Sequence, residues 1–264
     1  MNQRTRLLAT VAAFAFVATA CSGSGDNFVP VTVESTTTAV PATTTTTIAV
    51  TTTTTPPASS TTTTTVAPTT TTTVLPGDPM DFGPSAGDVL AVIGVESDDV
   101  LNVRQAPGIN QNIVATAPPL SHNLIAVGNT RALPNSIWIE ITLNGTPGWV
   151  SYSFVGYLGN TDDATAEVVA DYGSIPSGAS VDEVVEFTLA TFVSVDPQSR
   201  VARPAAPIVG DPTEVTVDVV GIGDDAVRGY RLHIFVQLEA GVYSLMSVER
   251  TYICGRGVSG GLCL

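Results

Sequence analysis

Short runs in which apolar and polar residues alternate follow Pro84 and predict β-strands. The Asn144-Gly145 pair between the last two runs indicates a tight hairpin turn. Five short strands within about 75 residues are typical of a small β-barrel. The runs lie at residues 88–95, 100–104, 124–127, 137–142 and 148–152.

The rest of the chain changes to a mixed pattern. Residues 180–194 carry an apolar face with helical spacing, with Ser180 as the N-cap and Glu183 at the third helical position. Residues 164–172 are a second, weaker helical segment. Three strands joined by short connections then follow, which predicts an α+β unit with a helix on an antiparallel three-stranded meander. These strands are residues 214–220, 229–238 and 242–252.

The first part of the chain has neither pattern. Arg4 and Arg6 precede an apolar run that is short for a membrane span and typical of a signal peptide. From Thr36 to Thr73 the chain is an uncharged threonine- and proline-rich tract, which cannot bury enough apolar surface to offset the entropy lost on ordering. We therefore expect a mainly β protein with four segments. They are a signal peptide at 1–20, a disordered stalk at 21–85, the barrel at 86–160 and the α+β domain at 162–264.

The end of the signal segment, VATAC at 17–21, resembles the lipobox of bacterial lipoproteins. That resemblance implies that Cys21 is the lipidation site, diacylated at the new N-terminus, and that the protein is extracytoplasmic and lipid-anchored to the cell membrane. An ordinary signal peptide with a cysteine nearby is the alternative.

Setting Cys21 aside leaves two cysteines, Cys254 and Cys263. One even pair in a secreted protein predicts a disulfide, and the glycines between them allow so short a loop to close. Two free thiols or half of a metal site are the alternatives.

Charge and side-chain inventory narrow the functional classes. The net charge of −14 becomes −16 once Arg4 and Arg6 are removed, and the chain has no lysine, which argues against nucleic acid as a partner. Only His122 and His233 are available as imidazole bases, and neither lies in a recognisable catalytic motif. The aspartates and glutamates between 211 and 225 do not follow the calcium-loop pattern. We therefore predict no catalytic residues, no metal and no cofactor.

Two further motifs carry a second resemblance. LNVRQAPG at 101–108 is similar to the "LNVRSGPG" signature of bacterial SH3-like domains, and WIEI at 138–141 followed by GWV at 148–150 resembles the family's ending. The family implies a binding module, often for cell-wall peptide or glycan. Strand alternation turns Asn102 and Arg104 away from Leu101 and Val103, so that Arg104 could contact a carboxylate. Tyr152 and Tyr157 are candidates for stacking on sugar or peptide. An inert surface is the alternative for all four residues.

These observations favour a non-catalytic envelope lipoprotein whose SH3-like domain binds cell-wall peptidoglycan. One alternative is an assembly or sensory subunit that docks onto an envelope protein. A second is a wall hydrolase built from carboxylates alone, since paired acidic residues suffice for glycoside hydrolysis. Residues 162–264 resemble no family that we recognise.

Overall fold

The fold is mainly β, as the sequence predicts. The computed structural model describes residues 74–264. A 3₁₀ turn, Tyr152–Phe154, separates β7 from β8. In chain order the other elements are β1 (Asp78–Met80), β2 (Val89–Val92), β3 (Leu101–Arg104), β4 (Ile113–Ala117), β5 (Leu124–Leu133), β6 (Ser136–Leu143), β7 (Thr146–Ser151), β8 (Val155–Asp163), α1 (Thr165–Tyr172), β9 (Ser177–Gly178), α2 (Val181–Leu189), β10 (Arg200–Ala202), β11 (Thr213–Val220), β12 (Val227–Glu239), β13 (Val242–Cys254), β14 (Val258–Ser259) and β15 (Leu262–Cys263).

Most of the predicted N-terminal features lie outside the described residues. These are the signal peptide, the lipidation site Cys21 and the threonine tract as far as residue 73. The predicted stalk, however, continues to residue 85, and the structure corrects its end. Asp78–Met80 pairs with β5, with Met80 opposite Thr130. Pro79 is tolerated in β1 because this strand pairs with β5 alone. An edge strand has one side without a ladder, and a missing N–H on that side costs no hydrogen bond.

Every strand pair is antiparallel, and thirteen strands join into one sheet in the order β10-β11-β12-β13-β8-β2-β5-β6-β7-β3-β4, with β1 added to β5 and β9 to β13. β8 connects the two parts of this sheet. The first part consists of β1–β7 and the second part consists of β9–β13. Its beginning pairs with β2, with Val155 opposite Val92, and its later residues pair with β13, with Thr161 opposite Thr251. The predicted boundary at residues 160–162 therefore falls inside a strand that both parts share.

Local sequence explains the tight connections. Asn144 and Gly145 have φ values of 50° and 84°, and this pair of positive angles is what a two-residue type I′ hairpin turn requires between β6 and β7. Ala240 and Gly241, with φ values of 50° and 83°, close the β12–β13 hairpin in the same way. The predicted meander of β11, β12 and β13 follows from this short return and from the antiparallel register of all three strands.

Both predicted helices form, and α2 begins at the predicted cap. The Ser180 hydroxyl oxygen accepts a hydrogen bond from the Glu183 backbone N–H at 3.2 Å, and the Glu183 carboxylate accepts one from the Ala179 N–H at 2.7 Å. α2 ends at Leu189, five residues earlier than the periodicity suggests. Within residues 74–264, no helix has the length and apolarity needed to span a membrane.

Two main apolar clusters form the core. One lies among β2, β3, β5, β6, β7 and β8 and includes Leu90, Val103, Ile141 and Val150. The other joins α1 and α2 to the meander and includes Val168, Val185, Val217, Ile234 and Val248. A small third cluster joins strands from both parts, and it consists of Ile93, Val220 and Ile253 with Leu158 packed against it.

A buried ion pair lies at the junction between the meander and β2. Arg231 Nε and Nη2 donate to the two carboxylate oxygens of Asp218 at 2.7 and 2.9 Å. Arg231 Nη2 also donates to the Val92 carbonyl at 2.9 Å, and the Gly94 N–H donates to Asp218 Oδ2 at 2.8 Å. The Asp218 side chain is 0 % exposed and that of Arg231 is 7 % exposed. Such a pair is tolerated in the interior only because the geometry is bidentate and the remaining polar atoms have partners.

A second arginine fastens α1 to the sheet. Arg250 donates to both oxygens of Asp162 at 3.0 and 2.8 Å and to Glu167 on α1 at 2.9 Å. Its guanidinium also lies 4.9 Å from the ring centre of Tyr252 and 5.4 Å from that of Tyr230. The Arg250 hydrogen bonds lower the pKa of Asp162 against the opposing effect of burial, and those bonds raise the pKa of Arg250.

The predicted disulfide between Cys254 and Cys263 is present in the structure. It closes a loop in which β14 and β15 form a small hairpin. Cys254 is fully buried in the first core cluster, and Val258 and Cys263 pack against that cluster. The C-terminal loop is therefore part of the fold around β8 rather than a free end.

We expect Asp218→Ala to lower the free energy of unfolding by about 3–5 kcal/mol, because it leaves the Arg231 charge buried without its partner. Urea titration followed by tryptophan fluorescence measures this change. Asp225→Ala is the matched control, since it breaks an ion pair whose aspartate is 79 % exposed, and its effect should fall within experimental error. Equal effects of the two substitutions would contradict the structural importance of the buried pair.

The lowered pKa of Asp162 predicts a pH dependence. A carboxyl group whose pKa is depressed by folding contributes stability above the ordinary aspartate value of about 3.9 and loses that contribution as the pH falls toward the folded-state pKa. The gap in unfolding free energy between the wild type and Asp162→Asn should therefore be largest near neutral pH and shrink below about pH 4. Urea titrations at a series of pH values measure it. A gap that stays constant with pH would show that the Arg250 contact does not control this titration.

Candidate functional site

An apolar groove of about 210 Å³ opens beside β3. The loop between β2 and β3, the beginning of β6, the end of β7 and the 3₁₀ turn surround it. Its apolar lining consists of Val95, Val100, Leu101, Ile109, Trp138 and Phe154. Its polar lining consists of Asp99, Asn102, Arg104, Ser136 and Ser151. The volume is below the range of about 300–1,000 Å³ typical of pockets for drug-sized ligands, so the groove suits one side chain or a similarly small group.

Strand alternation brings two of the predicted binding residues to this groove. Along β3, Leu101 and Val103 are 6 % and 0 % exposed, whereas Asn102 and Arg104 are half-buried. Both Asn102 and Arg104 line the groove. The structure therefore brings to one groove the two polar side chains that the alternation turns away from Val103.

Arg104 is the principal polar group of the site. Its Nη1 donates to the Gln111 carbonyl at 2.7 Å, which ties the guanidinium to the loop that follows β3. Within residues 74–264, no carboxylate lies within 4.0 Å of this guanidinium. A guanidinium has five N–H donors, so Arg104 keeps donors available for an acidic ligand. Asp99 is already engaged, because its Oδ1 accepts the Val100 N–H at 2.7 Å.

Two aromatic side chains, Trp138 and Phe154, line the groove. Trp138 is only 3 % exposed, and its indole N–H donates to the Ser136 hydroxyl at 2.9 Å. Phe154 belongs to the 3₁₀ turn, and the Arg200 guanidinium lies 4.5 Å from its ring centre. Arg200 Nη2 also donates to the Ser153 carbonyl at 3.0 Å. Burial lowers the pKa of Arg200, and the charge of Asp218 opposes that shift.

The other two predicted binding residues lie elsewhere. The Tyr152 hydroxyl donates to the Gly255 carbonyl at 2.6 Å, and the Arg228 guanidinium lies 4.3 Å from its ring centre. Tyr157 is 8 % exposed and donates to Asp88 at 2.6 Å, and burial followed by this hydrogen bond raises its pKa. Neither tyrosine lines the groove. In the structure both have internal partners, unlike the free stacking surface that the sequence suggested.

The remaining titratable candidates also lie outside the groove. His233 Nδ1 lies 2.7 Å from Glu214 on the meander, and His122 lies 3.4 Å from the Leu120 carbonyl in a loop. No three His, Cys, Asp or Glu side chains among residues 74–264 are grouped closely enough to hold a metal ion. The groove itself has one carboxylate, one guanidinium, one amide and two hydroxyls over an apolar surface. That set can orient a small acidic or amphipathic group.

Several lining residues have no signal in the sequence. Phe154 belongs to a turn with no apolar periodicity, and Asp99 and Ile109 lie in loops outside the predicted strands. Their common location results from the β2–β8 pairing, which connects residues more than sixty positions apart. The sequence pattern that indicates this site is the alternation on β3, which places Asn102 and Arg104 on one side of the strand.

The internal role of Tyr157 is testable by Tyr157→Phe. Loss of a hydrogen bond to a charged acceptor should lower the free energy of unfolding by about 1–3 kcal/mol. Tyr172→Phe is the control, because Tyr172 is 43 % exposed and stacks on Phe187 through its ring alone. Thermal and urea unfolding measure both variants. Unchanged stability in Tyr157→Phe would contradict this internal role and leave Tyr157 as a candidate for ligand binding.

The motifs at 101–108, 138–141 and 148–150 resemble bacterial SH3-like domains over a limited part of the chain. Comparison of the whole chain with protein-family models, with curated proteins and with solved structures found no match.

Proposed function

We propose that this protein is a non-catalytic cell-envelope lipoprotein that binds a carboxylate-bearing group of cell-wall peptide or glycan in the groove beside β3. The single observation that supports this most is Arg104. Its guanidinium lines an apolar groove with spare donors and no acidic partner within 4.0 Å among the described residues. On the surface of an acidic protein, an arginine without a carboxylate partner is suited to an acidic ligand.

The proposal includes an SH3-like barrel over residues 86–160. It rests on the motif resemblance and on the antiparallel pairings among β2, β3, β5, β6 and β7, whose inward residues form one apolar cluster. Trp138 and Ile139 are both buried, so the WIEI motif covers the groove with one face and the core with the other. The second part, residues 162–264, is proposed as an α+β domain.

The side chains of the groove favour binding over catalysis. Hydrolysis of a glycosidic bond generally requires two carboxyl groups on either side of the bond, whereas Asp99 is the one carboxylate that lines the groove. Ser136 and Ser151 lack a histidine in that lining to act as their base. Anchoring through a lipid on Cys21 and presentation on a threonine-rich stalk complete the proposal, and both rest on the sequence.

Binding can be tested by sedimenting the full chain with purified cell-wall sacculi. We expect Arg104→Gln to weaken co-sedimentation about tenfold, because a charge-assisted contact is lost while the position keeps a polar, uncharged side chain. Arg256→Ala is the matched control, since this arginine is paired with the exposed Asp225 and does not line the groove. Retention no greater than with lysozyme-digested wall would overturn the proposal.

Competition separates the groove from general adsorption. Soluble wall peptides with free carboxylates should displace the protein from sacculi, whereas the same peptides with amidated carboxylates should not. Equal competition by both forms would contradict recognition by Arg104. Cross-linking in whole cells tests the docking alternative, because a single dominant protein adduct would favour a partner protein as the ligand.

A further inference from the structure

The two sides of the groove have different support. On one side, Asn102 and Arg104 lie on β3 and Trp138 lies on β6, where neighbouring strands hold them, and Ile109 lies on the loop after β3. The opposite side, which we call the supported wall, consists of residues 92–100 and 151–154. Residues from β10 to β12 contact the supported wall at three separate places.

The first contact holds the end of β2. The Asp218 carboxylate accepts the Gly94 N–H at 2.8 Å, and Arg231 donates to the Val92 carbonyl at 2.9 Å. Gly94 has a φ of 61°, and a Cβ at this position would lie 2.5 Å from Arg200 Nη2. The chain therefore turns from β2 into the groove loop directly beneath two arginines of the second part.

The second contact holds the loop itself. The Ser97 N–H donates to the Arg203 carbonyl at 2.9 Å, and the Arg203 N–H donates to the Glu96 carboxylate at 2.9 Å. Arg203 in turn pairs with Asp182 on α2 at 2.6 Å. The segment just after β10 thus adds two hydrogen bonds to the loop between Val95 and Val100. These two valines line the groove.

The third contact holds the 3₁₀ turn. Arg200 lies over the Phe154 ring and donates to the Ser153 carbonyl, while Arg228 lies over the Tyr152 ring and donates to the Val155 carbonyl at 2.8 Å. The Phe154 carbonyl in turn accepts the Ile93 N–H at 2.9 Å, which joins the turn to β2. The Arg200 Nε–H is buried without a hydrogen-bond partner in the described part of the chain. Stacking on Phe154 and the bond to Ser153 offset that desolvation.

We propose that β10–β12 brace the supported wall, that Arg200 is a positioning residue for Phe154, and that occupancy of the groove is thereby coupled to the second part of the protein. The binding role of the groove rests on the proposed function, whereas the brace rests on the contacts alone. Coupling is reciprocal, so a ligand that contacts Phe154 strengthens the Arg200 contacts by the same factor by which those contacts strengthen ligand binding. This assigns a role to residues 200–231, for which the sequence suggested none.

Hydrogen exchange of the full chain tests the brace without any ligand. In Arg200→Ala, we expect about tenfold faster amide exchange in segments 93–100 and 152–156, because local opening of this wall becomes easier. Segment 105–112 on the opposite side and α2 should be unchanged and serve as internal references. Arg256→Ala is the matched arginine control and should change none of the four segments. Arg200→Lys, which keeps the charge without the planar fork, should recover part of the protection.

Unchanged exchange in 93–100 and 152–156 would overturn the brace, and so would equal acceleration in all four segments, which would indicate general destabilisation. Glu96→Ala is an independent variant at an exposed position that removes the acceptor of the Arg203 N–H, and it should accelerate exchange in 93–100 while leaving 152–156 unchanged. Sedimentation with sacculi then tests the coupling, since Arg200→Ala should bind about tenfold more weakly and Arg256→Ala should bind normally. If the wild type does not bind sacculi, the proposed function fails while the exchange result still decides the brace.

Discussion

The buried pairing of Asp218 with Arg231 is the constraint on which the arrangement of this fold depends. Two opposite charges with side-chain exposures of 0 % and 7 % require complete hydrogen bonding, and the two strands that carry them do not supply all of it. The Val92 carbonyl at the end of β2 and the Gly94 N–H just after it complete the hydrogen bonding of the pair. A shift of β11 by one residue would turn Asp218 into the apolar cluster beneath the helices. The pair therefore specifies both the register of the meander and the place where β2 meets it.

This constraint connects the core to the groove. β8 joins β2 to β13, and the small apolar cluster of Ile93, Val220 and Ile253 includes the residue between Val92 and Gly94, the two positions that the ion pair binds. The chain then leaves β2 through Gly94 into a loop that lines the groove. The contacts that allow Asp218 to be buried therefore also position the supported wall of the groove.

The contacts of the arginines are consistent with the absence of lysine from the sequence. Each of the eight arginines among residues 74–264 donates to a backbone carbonyl or a carboxylate of the described chain, and three of them also stack on aromatic rings. A planar guanidinium can make several directed bonds while lying on a ring, which a lysine ammonium cannot do. Arg104 differs from the other seven because it is the arginine that lines the groove.

The sequence by itself determined the features that depend on neighbouring residues. These include the strands of the meander, the Asn144-Gly145 turn, the Ser180 cap and the alternation that turns Asn102 and Arg104 to one side. It did not indicate β8, because Gly156, Gly159 and Asn160 interrupt the apolar pattern of this strand. From the sequence, Tyr152 and Tyr157 are candidates for stacking on a ligand, and the sequence does not indicate their internal partners, Gly255 and Asp88, because these are 103 and 69 positions away. Only the tertiary structure decided the groove wall, since its contacts join distant segments whose proximity no local pattern encodes.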